Sequence, residues 1–399
     1  MLNELYLKLA GDGIHDDTDA IQALLDSGYP EIRLPEPKVC YLISKTLRIH
    51  SNTSLILGST TRILLADHGD CHMIANAEPD ARHIRVEGGI WDMNNRHQTP
   101  NCMRVPPAPG EDPVVAFVMS FNRVTDLRIS SLTIKDPVIF SITLEYVTYF
   151  TVRDVTFDFN YGNPNATNMD GVHLNGGCRF GHISNLQGPC YDDMVALNAD
   201  EGVGGPIEDI EIDGLFCSDC HSAVRILTRG QWVRRVHISN VFGTFFQYAV
   251  GITRYSDEGT VGRCDQISLS NIYASKAVRI PIYGKGPIEP ATTYVYDILW
   301  MEGGIEVGNV QVSNLHRREN VTAIPTVHLL AGTHIELLSI EHCSQENETG
   351  KPVPFFLNEG TIDKLFLRDI QVKGDETLVN KGSIGEIFAD EDVVRRLSQ

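Results

Sequence analysis

The chain has 399 residues, of which 42% are hydrophobic and 21% charged, so it can bury a large core and lacks the composition of a disordered protein. Its formal net charge of −19 argues against nucleic acid or an anionic membrane as a partner. A run of roughly 18 apolar residues, which a membrane-spanning helix needs, is missing. The N-terminus shows no secretory signal, so we expect a cytoplasmic protein, or a secreted or periplasmic one if a signal was removed.

The first predicted element is a capping turn and helix over residues 11–28. Asp17 and Thr18 supply an N-cap, and Ile21 and Leu24 begin an apolar stripe at helical spacing that Gly28 ends. The turn that leads into this helix is acidic and lacks the pattern of a phosphate-binding loop. We therefore expect a structural cap and no phosphate site.

Short β segments separated by Gly, Asn, Asp, Ser and Pro dominate the chain that follows. Residues 96–115 are rich in proline and are predicted to form a loop excursion. The predicted strands before this loop are Glu31–Leu34, Tyr41–Ile43, Thr46–Ile49, Ser54–Leu57, Arg62–Leu65 and His83–Val86.

A repeat then runs to the end of the chain. Each copy has two alternating apolar residues, a polar residue or glycine, and another apolar residue. The polar or glycine position recurs at Ser131, Asp154, Asn185, Gly214, Asn240, Asn271, Asn314, Ser339 and Asp369.

Intervals of this length without helices predict an all-β solenoid, a parallel β-helix in which each coil adds one strand to each of several sheets. The polar position would turn the chain between sheets in a left-handed conformation. A propeller fits less well, because its blades need about 40–45 residues. We expect one domain over residues 1–399, with the first helix covering the open sheet edge and a cap or tail over about 380–399.

Acidic residues stand at the edges of two neighbouring apolar segments. Asp170 and Asp192 are 22 residues apart, Asp193 and His221 are 28 apart, and His221 and Arg254 are 33 apart. If each interval is one coil, these residues form a column in which neighbours lie about 4.8 Å apart. Paired carboxylates are the usual equipment for cleaving a glycosidic bond. Side-chain alternation places the acids at corners just before their strands.

The motifs resemble those of the polygalacturonases, glycoside hydrolase family 28, over roughly residues 10–275. Asn168–His173 resembles the family's Asn-Thr-Asp-Gly-Ile-His, and Asp192–Leu197 resembles its Gly-Asp-Asp-Cys-Ile-x-Ile. Cys220–Ser222 resembles its Gly-His-Gly, and Gly89–Asn94 resembles its Gly-x-Ile-Asp-Gly-x-Gly. The N-terminal turn and helix are similar to the opening of many pectin-lyase-like proteins. The resemblance implies a right-handed parallel β-helix.

The resemblance also implies a single-displacement, inverting glycoside hydrolase. Asp193 would be the general acid, Asp170 and Asp192 would activate water, and His221 would orient the acid or keep it protonated. Three crowded carboxylates cannot all ionise at low cost, so one of them becomes a usable acid.

Substrate contacts are harder to assign, because the chain departs from the family there. The Arg-x-Lys that grips a substrate carboxylate in the family falls on Gly251 and Thr253 here. Either other arginines take over, or the sugar is not a galacturonate. The candidate substrate-binding residues are Asn168, His173, Tyr191, Arg225, Arg254 and Tyr255.

Two other functions stay open. A lyase or epimerase on the same fold would abstract a proton next to a carboxylate and would want a Lys or Arg base, often with Ca²⁺. A non-catalytic glycan-binding β-helix would not need three acids in register. We expect a carbohydrate as the partner and predict neither a cofactor nor a bound metal, since Cys217 and Cys220 are a lone pair. The nine cysteines are expected to be small buried hydrophobes.

Overall fold

The structure is a computed structural model that describes residues 2–99, 115–160, 168–255, 259–280, 289–290, 293–373 and 375–391. Strands dominate these residues, as predicted. The helices among them are α1 (Leu2–Tyr6), α2 (Thr18–Leu25) and a 3₁₀ turn at Asn95–His97.

The strands are short near the N-terminus and reach 15 residues further along the chain. They are β1 (Glu31–Arg33), β2 (Tyr41–Ile43), β3 (Leu47–Ile49), β4 (Ser54–Ile56), β5 (Arg62–Leu65), β6 (Ile74–Asn76), β7 (Ala81–Glu87), β8 (Ile90–Asp92), β9 (Met119–Asn122), β10 (Val124–Lys135), β11 (Ile142–Glu145), β12 (Thr148–Asp158), β13 (Val172–Asn175), β14 (Arg179–Gly188), β15 (Asp193–Asn198), β16 (Ile207–Cys220), β17 (Ser222–Leu227), β18 (Trp232–Phe245), β19 (Val250–Thr253), β20 (Gly262–Lys276), β21 (Arg279–Ile280), β22 (Glu289–Pro290), β23 (Leu299–Met301), β24 (Ile305–Glu319), β25 (Val327–Leu329), β26 (His334–Asn347), β27 (Phe356–Asn358), β28 (Thr361–Lys373), β29 (Leu378–Asn380) and β30 (Ser383–Ala389).

The chain divides into two compact units. Unit 1 comprises Met1–His173, Cys178–Asp192 and Pro281–Glu289. Unit 2 comprises Leu174–Gly177, Asp193–Ile280 and Pro290–Gln399. The prediction of a single domain over residues 1–399 stays a prediction.

Unit 1 contains two parallel sheets, and the coils of the chain add strands to both of them. The first sheet has the order β1-β4-β7-β10-β12-β14, and the second has the order β3-β6-β9-β11. Inward residues stack in register from coil to coil: Ile84 lies opposite Leu127, and Leu127 lies opposite Phe150. All three are buried. The apolar alternation in the sequence therefore becomes a column of the core.

Unit 2 repeats the arrangement. Its first sheet runs β16-β18-β20-β24-β26-β28-β30, and its second runs β15-β17-β19-β23-β25-β27-β29. One inward column joins the buried residues Ile210, Val236, Ile267, Val310, Leu338 and Leu365 in consecutive register, and Ile387, which is 47% exposed, follows them on the last strand. Burying an aliphatic side chain of this size stabilises the fold by about 1.5–3 kcal/mol. The predicted parallel β-helix fold class is confirmed.

The polar repeat position turns the chain as expected at eight of its nine predicted sites, where φ lies between 49° and 73°. Asparagines at this corner also bond to one another. The amide of Asn271 donates to Asn240 at 3.1 Å, and that of Asn314 donates to Asn271 at 3.0 Å. The corner residue thus supplies both the left-handed backbone and a hydrogen-bonded ladder along the coils.

Ser339 is the exception, and its prediction as a corner is wrong. Its coil places His342 in the left-handed conformation, with φ 54°, and register confirms the shift because Glu341 pairs with Ser313, the residue before Asn314. The apolar pattern of the repeat also fits three residues before His342, and for that reason it indicated Ser339. Histidine, like Asn and Asp, is enriched in this conformation.

Helix α2 forms the predicted cap. Its apolar stripe is buried, and the Gln22 side chain donates to the carbonyl of Arg48 and accepts from the amide of Arg48, at 2.9 and 2.8 Å. Arg48 lies in β3, the edge strand of the second sheet of unit 1. Asp17 precedes the helix but does not cap it with its side chain, since that carboxylate accepts from the amides of Ala10 and Gly11 instead.

Other predictions have mixed outcomes. The excursion over 96–115 falls mostly outside the described residues, and within the predicted tail residues 383–389 form strand β30. Seven of the eight described cysteines are buried, as expected. No helix in the described part of the chain is long and apolar enough to cross a membrane.

The asparagine ladder generates a stability prediction. Asn271→Ala should lower the free energy of unfolding by about 2–3 kcal/mol, because alanine pays about 1–2 kcal/mol for a left-handed backbone and both ladder hydrogen bonds are lost. Urea unfolding measures the change. Asn271→Gly is the matched control: it loses the same bonds without the backbone cost and should lose only about 1 kcal/mol. Equal losses for the two variants would contradict the corner assignment.

Candidate active site

Two of the predicted acids meet in unit 1. Asp170 lies two residues before β13, at the corner that side-chain alternation predicted, and Asp192 lies one residue before β15. Asp193, which alternation also placed at a corner before its strand, is instead the first residue of β15. Both are buried, with 2% and 8% exposure, and one carboxylate oxygen of each lies within 4.8 Å of the other. A single water molecule can bridge the two oxygens by donating one hydrogen bond of about 2.7–2.8 Å to each of them. A hard cation such as Ca²⁺ uses the same kind of ligand.

His173 holds Asp170 in place. Its Nδ1 atom lies 2.6 Å from Asp170 Oδ2, and its ring stacks on Phe140 with centroids 3.8 Å apart. The His173 side chain has no exposed surface. Its predicted substrate contact is therefore corrected: His173 lies beneath the carboxylate and orients it.

The ring of His173 continues a stack that runs back through the preceding coils. Phe140 stacks on Phe117 at 5.6 Å, and Phe117 stacks on His72 at 5.1 Å. Burial lowers the pKa of His72, and the charge of Arg48 lowers it further. The stack gives the carboxylate of Asp170 an apolar support on one side.

Asp193 follows Asp192 in the chain, begins β15 and belongs to unit 2. Its Oδ2 atom lies 3.0 Å from Nε of Arg225, and both side chains are almost fully buried. Arg225 also donates through Nε to the hydroxyl of Tyr248 at 2.8 Å and through Nη1 to the hydroxyl of Tyr255. A guanidinium beside a carboxylate stabilises its ionised form. Arg225 thus serves Asp193, and its predicted role as a substrate clamp is not supported by this geometry.

Register places Arg225 opposite the position where the family resemblance led us to expect an arginine. Arg225 pairs with Gly251, the residue that stands in the family's arginine position, and with Ala196 on the other side. A side chain at position 251 would start 2.6 Å from the ring of Tyr248. The arginine of this chain therefore lies one coil earlier at the same lateral position, and Tyr248 fills the place next to it.

His221 lies at the corner between β16 and β17 and is buried. Its ring packs against Phe246 with centroids 5.7 Å apart, and its carbonyl accepts from the amide of Gln247. Asp193 pairs with Ser222, so the interval of one coil is 29 residues and His221 precedes the partner of Asp193 by one position. The catalytic role of His221 stays a prediction.

Arg254 does not belong to the column of His221. The register of β17 and β19 makes that coil 26 residues long, because Val224 pairs with Val250. The Arg254 guanidinium donates to the carbonyls of Gly303 and Thr260 at 3.1 and 2.8 Å. This arginine links its own loop, through Thr260, to the turn at Gly303 between β23 and β24, which corrects its prediction as a substrate contact.

The remaining candidates divide clearly. Tyr191 has no exposed surface and packs edge-on against Phe159, so its prediction as a substrate contact is corrected as well. Tyr255 is half exposed beside Arg225, and its ring lies 5.2 Å from the guanidinium carbon. Asn168 is partly exposed with φ 48°. Substrate binding by Tyr255 and Asn168 stays a prediction.

Lys276 was missed by the sequence reasoning. It is buried in unit 2, and its Nζ atom donates to the carbonyls of Gln247 and, at 2.9 Å, of Tyr296. Burial lowers the pKa of Lys276 to about 7, and the charge of Arg317 lowers it further. The signal was present: alternation from Ile272 through Ala274 places residue 276 inside.

Comparisons with known proteins agree on the fold. No protein-family model matches the chain, and no curated protein matches it in sequence. Among solved structures, the A-module of mannuronan C-5 epimerase AlgE6 from Azotobacter vinelandii is similar with a TM-score of 0.63 and 11% identity, covering 98% of each chain.

A polygalacturonase from Erwinia carotovora is similar with a TM-score of 0.54 and 13% identity, covering 95% of this chain and 94% of its own. PfbA, a surface adhesin of Streptococcus pneumoniae, is similar with a TM-score of 0.53 and 14% identity, covering 94% and 91%. The chain therefore has the right-handed parallel β-helix fold that polygalacturonases share, as the motifs predicted. At these identities the likeness concerns the fold, and relatives with this fold include an epimerase, a hydrolase and an adhesin.

The pair of Asp193 and Arg225 generates the first prediction from the site. Arg225→Met should lower the free energy of unfolding by roughly 3–5 kcal/mol, because it leaves a buried carboxylate without its counter-charge. In an Asp193→Asn background the same change should cost at least about 2 kcal/mol less, since no charge is stranded. Denaturant unfolding of the four chains gives the coupling energy. Additive losses, within about 0.5 kcal/mol, would show that the two residues do not interact.

Lys276 generates a prediction on pH. Its folded-state pKa of about 7 lies below the ordinary 10.5 of lysine, so between these values the unfolded chain binds a proton that the folded chain does not. The free energy of unfolding should therefore rise with pH in this window, by up to about 1.4 kcal/mol per pH unit. Lys276→Met should lack this rise. Parallel pH profiles of the two chains, measured by urea unfolding, would contradict the assignment.

Proposed function

We propose that the chain is a glycoside hydrolase that cleaves a pectin-type or related poly- or oligosaccharide by acid/base catalysis, in a single displacement that inverts the anomeric centre. One observation carries the proposal: buried carboxylate oxygens of Asp170 and Asp192 lie within 4.8 Å of each other at strand corners. Two acids so placed can hold one water between them and take its proton as it attacks the sugar.

Asp170 is the better fixed of the two. His173 bonds to one of its oxygens and is itself stacked on Phe140, so the carboxylate is held in one orientation. A base held in this way keeps its oxygen on the attacking water without loss of entropy in the transition state. Asp192 shares the water and can accept the proton.

The family motif assigns the proton donor to Asp193. Its surroundings act in opposite directions: the Arg225 guanidinium favours the ionised form, while the carboxylate of the preceding residue, Asp192, disfavours it. A proton donor must be protonated at the start of the reaction. The repulsion between the carboxylates of Asp192 and Asp193 therefore has to outweigh the attraction of Arg225 when substrate is bound. Arg225 then stabilises the carboxylate that remains after proton transfer.

A second candidate is epimerisation or elimination at a uronate. The arginine beside two tyrosine hydroxyls favours it, because a guanidinium next to a phenol stabilises the phenolate, and a phenolate is a competent base. The similar epimerase structure supports the same class of chemistry. The two candidates differ in product: hydrolysis adds water and creates a reducing end, elimination creates a reducing end together with an unsaturated sugar, and epimerisation leaves the chain length unchanged.

Incubation with a panel of uronate-containing and neutral oligosaccharides tests the proposal. We expect new reducing ends without the ultraviolet absorbance of an unsaturated product, and proton NMR at early times should show an inverted anomer. Asp170→Asn and Asp192→Asn should each lower kcat by about 10²–10⁴-fold. Ultraviolet absorbance that appears together with the new reducing ends, or a changed sugar configuration at constant length, would favour the second candidate.

The leaving group separates the roles of the acids. Asp193→Asn should lose activity on natural oligosaccharides yet retain most of it on an aryl glycoside whose phenol leaves without protonation. The variants at Asp170 and Asp192 should lose both activities, since the water step is still required. Asp363→Asn, an exposed acid paired with His334, is the matched control and should behave as the wild type. Full activity of Asp193→Asn on natural substrate would overturn its assignment as the acid.

A further inference from the structure

A groove of about 440 Å³ crosses the outer face of the first sheet of unit 1, on strands β7, β10, β12 and β14. None of the acids discussed above lines it. Its lining includes three arginines, Arg85, Arg128 and Arg153, and one carboxylate, Asp126. Three arginines lie together in a chain whose acids outnumber its basic residues by 52 to 33, and Glu87, Asp126 and Asp154 each pair with one of them.

The arginines are lined up by the coil register. Arg128 lies directly opposite Arg85, and Arg153 lies on the following strand opposite Ser130. Like charges in directly opposed positions destabilise a sheet. The next residue in the column of Arg85 and Arg128 is Thr151, and His182 follows it. Because the threonine side chain is short, the groove is deeper at this point.

Each guanidinium has one acidic neighbour: Arg85 pairs with Glu87, Arg128 with Asp126 at 3.3 Å, and Arg153 with Asp154 at 2.7 Å. Each contact occupies a single nitrogen of a group that carries five N–H donors. Within the described residues the three guanidiniums make no other hydrogen bond or ion pair with a side chain. They can therefore receive carboxylates of a ligand in the bidentate manner that arginine favours.

Two aromatic rings form the far wall. Tyr149 and Phe180 stack with centroids 5.0 Å apart and expose 60% and 46% of their surface. Both occupy the left-handed backbone region, with φ 56° and 57°, which bulky residues rarely adopt. His83 and Asp126 hold the same left-handed position on the two preceding strands, so this backbone is a regular feature of the coil that presents both rings to solvent.

We propose that this groove binds an anionic oligosaccharide that carries uronate carboxylates. The arginines pair with carboxylates along the sugar chain, and the aromatic wall packs against the apolar face of a pyranose ring. The site lies on a different sheet of unit 1 from β11, whose corners adjoin Asp170, and it does not depend on hydrolysis by the chain. Where catalysis also occurs, a second site on the same polysaccharide would raise its effective concentration.

Calorimetry with a hexamer of α-1,4-linked galacturonate tests the proposal, in the full chain carrying Asp192→Asn so that the probe is not consumed. Adding Arg128→Gln and Arg153→Gln should abolish one binding event or weaken it at least tenfold. Tyr149→Ala should weaken it as well. Binding should fall as salt is added, because the contacts are exposed ion pairs. The fully methyl-esterified hexamer, which is neutral, should not bind to this groove.

Arg33→Gln is the matched control. Arg33 is an exposed arginine paired with Glu31, two residues away on the same strand, as Arg85 is with Glu87, but it lies outside the groove. It should leave binding unchanged. Unaltered affinity in the double arginine variant, or equal binding of the esterified hexamer, would overturn the proposal.

Turnover distinguishes this site from the proposed catalytic one. With Asp192 intact, the groove variants should keep the wild-type kcat on short oligosaccharides. If no oligosaccharide is turned over, the proposed hydrolysis fails while the calorimetric result still decides the groove. If turnover is present and the arginine variants bind normally, the groove fails and the hydrolysis stands.

Discussion

The register of stacked parallel coils is the constraint on which the structure depends. Inward residues of one coil lie on those of the next, as Ile210, Val236 and Ile267 do, and a polar residue in left-handed conformation turns the chain between sheets. Because both features repeat in every coil, a residue's position along its coil decides whether it faces the core, the corner or the solvent. Polar functional residues can therefore occur only at positions of the coil that do not belong to the buried inward columns.

The candidate site uses the corners. Asp170 and Asp192 stand just before strands, where a polar side chain does not interrupt the inward column. Buried carboxylates there need partners, since an unpaired buried charge is strongly destabilising. His173 supplies one to Asp170 and Arg225 supplies one to Asp193. Two of the six residues predicted from the sequence as substrate contacts, His173 and Arg225, thus support the acids.

Sequence motifs located the acids because the motif residues are neighbours in the chain. The arginines show where such reasoning fails. Counting residues placed Arg254 near the expected clamp, but the coil before it has 26 residues and not 33. Arg225 therefore lies opposite Gly251, and Arg254 binds the carbonyls of Thr260 and Gly303. Coil length depends on how many residues each corner takes, and the apolar pattern does not record that number. Lys276 was missed for a different reason: alternation placed it inside, where a lysine is unexpected.

The sequence by itself determined the fold class, the capping helix, eight of the nine predicted corner residues and the acidic motifs. These follow from local periodicity, turn preferences and short spacings, which act between residues close in the chain. Only the tertiary structure decided which side chains meet across coils: the acid pair of Asp170 and Asp192, the ion pair of Asp193 and Arg225, and the arginine groove on the outer face of unit 1. Such contacts depend on register between distant segments, and a change of one residue in a corner moves every later side chain to a different neighbour.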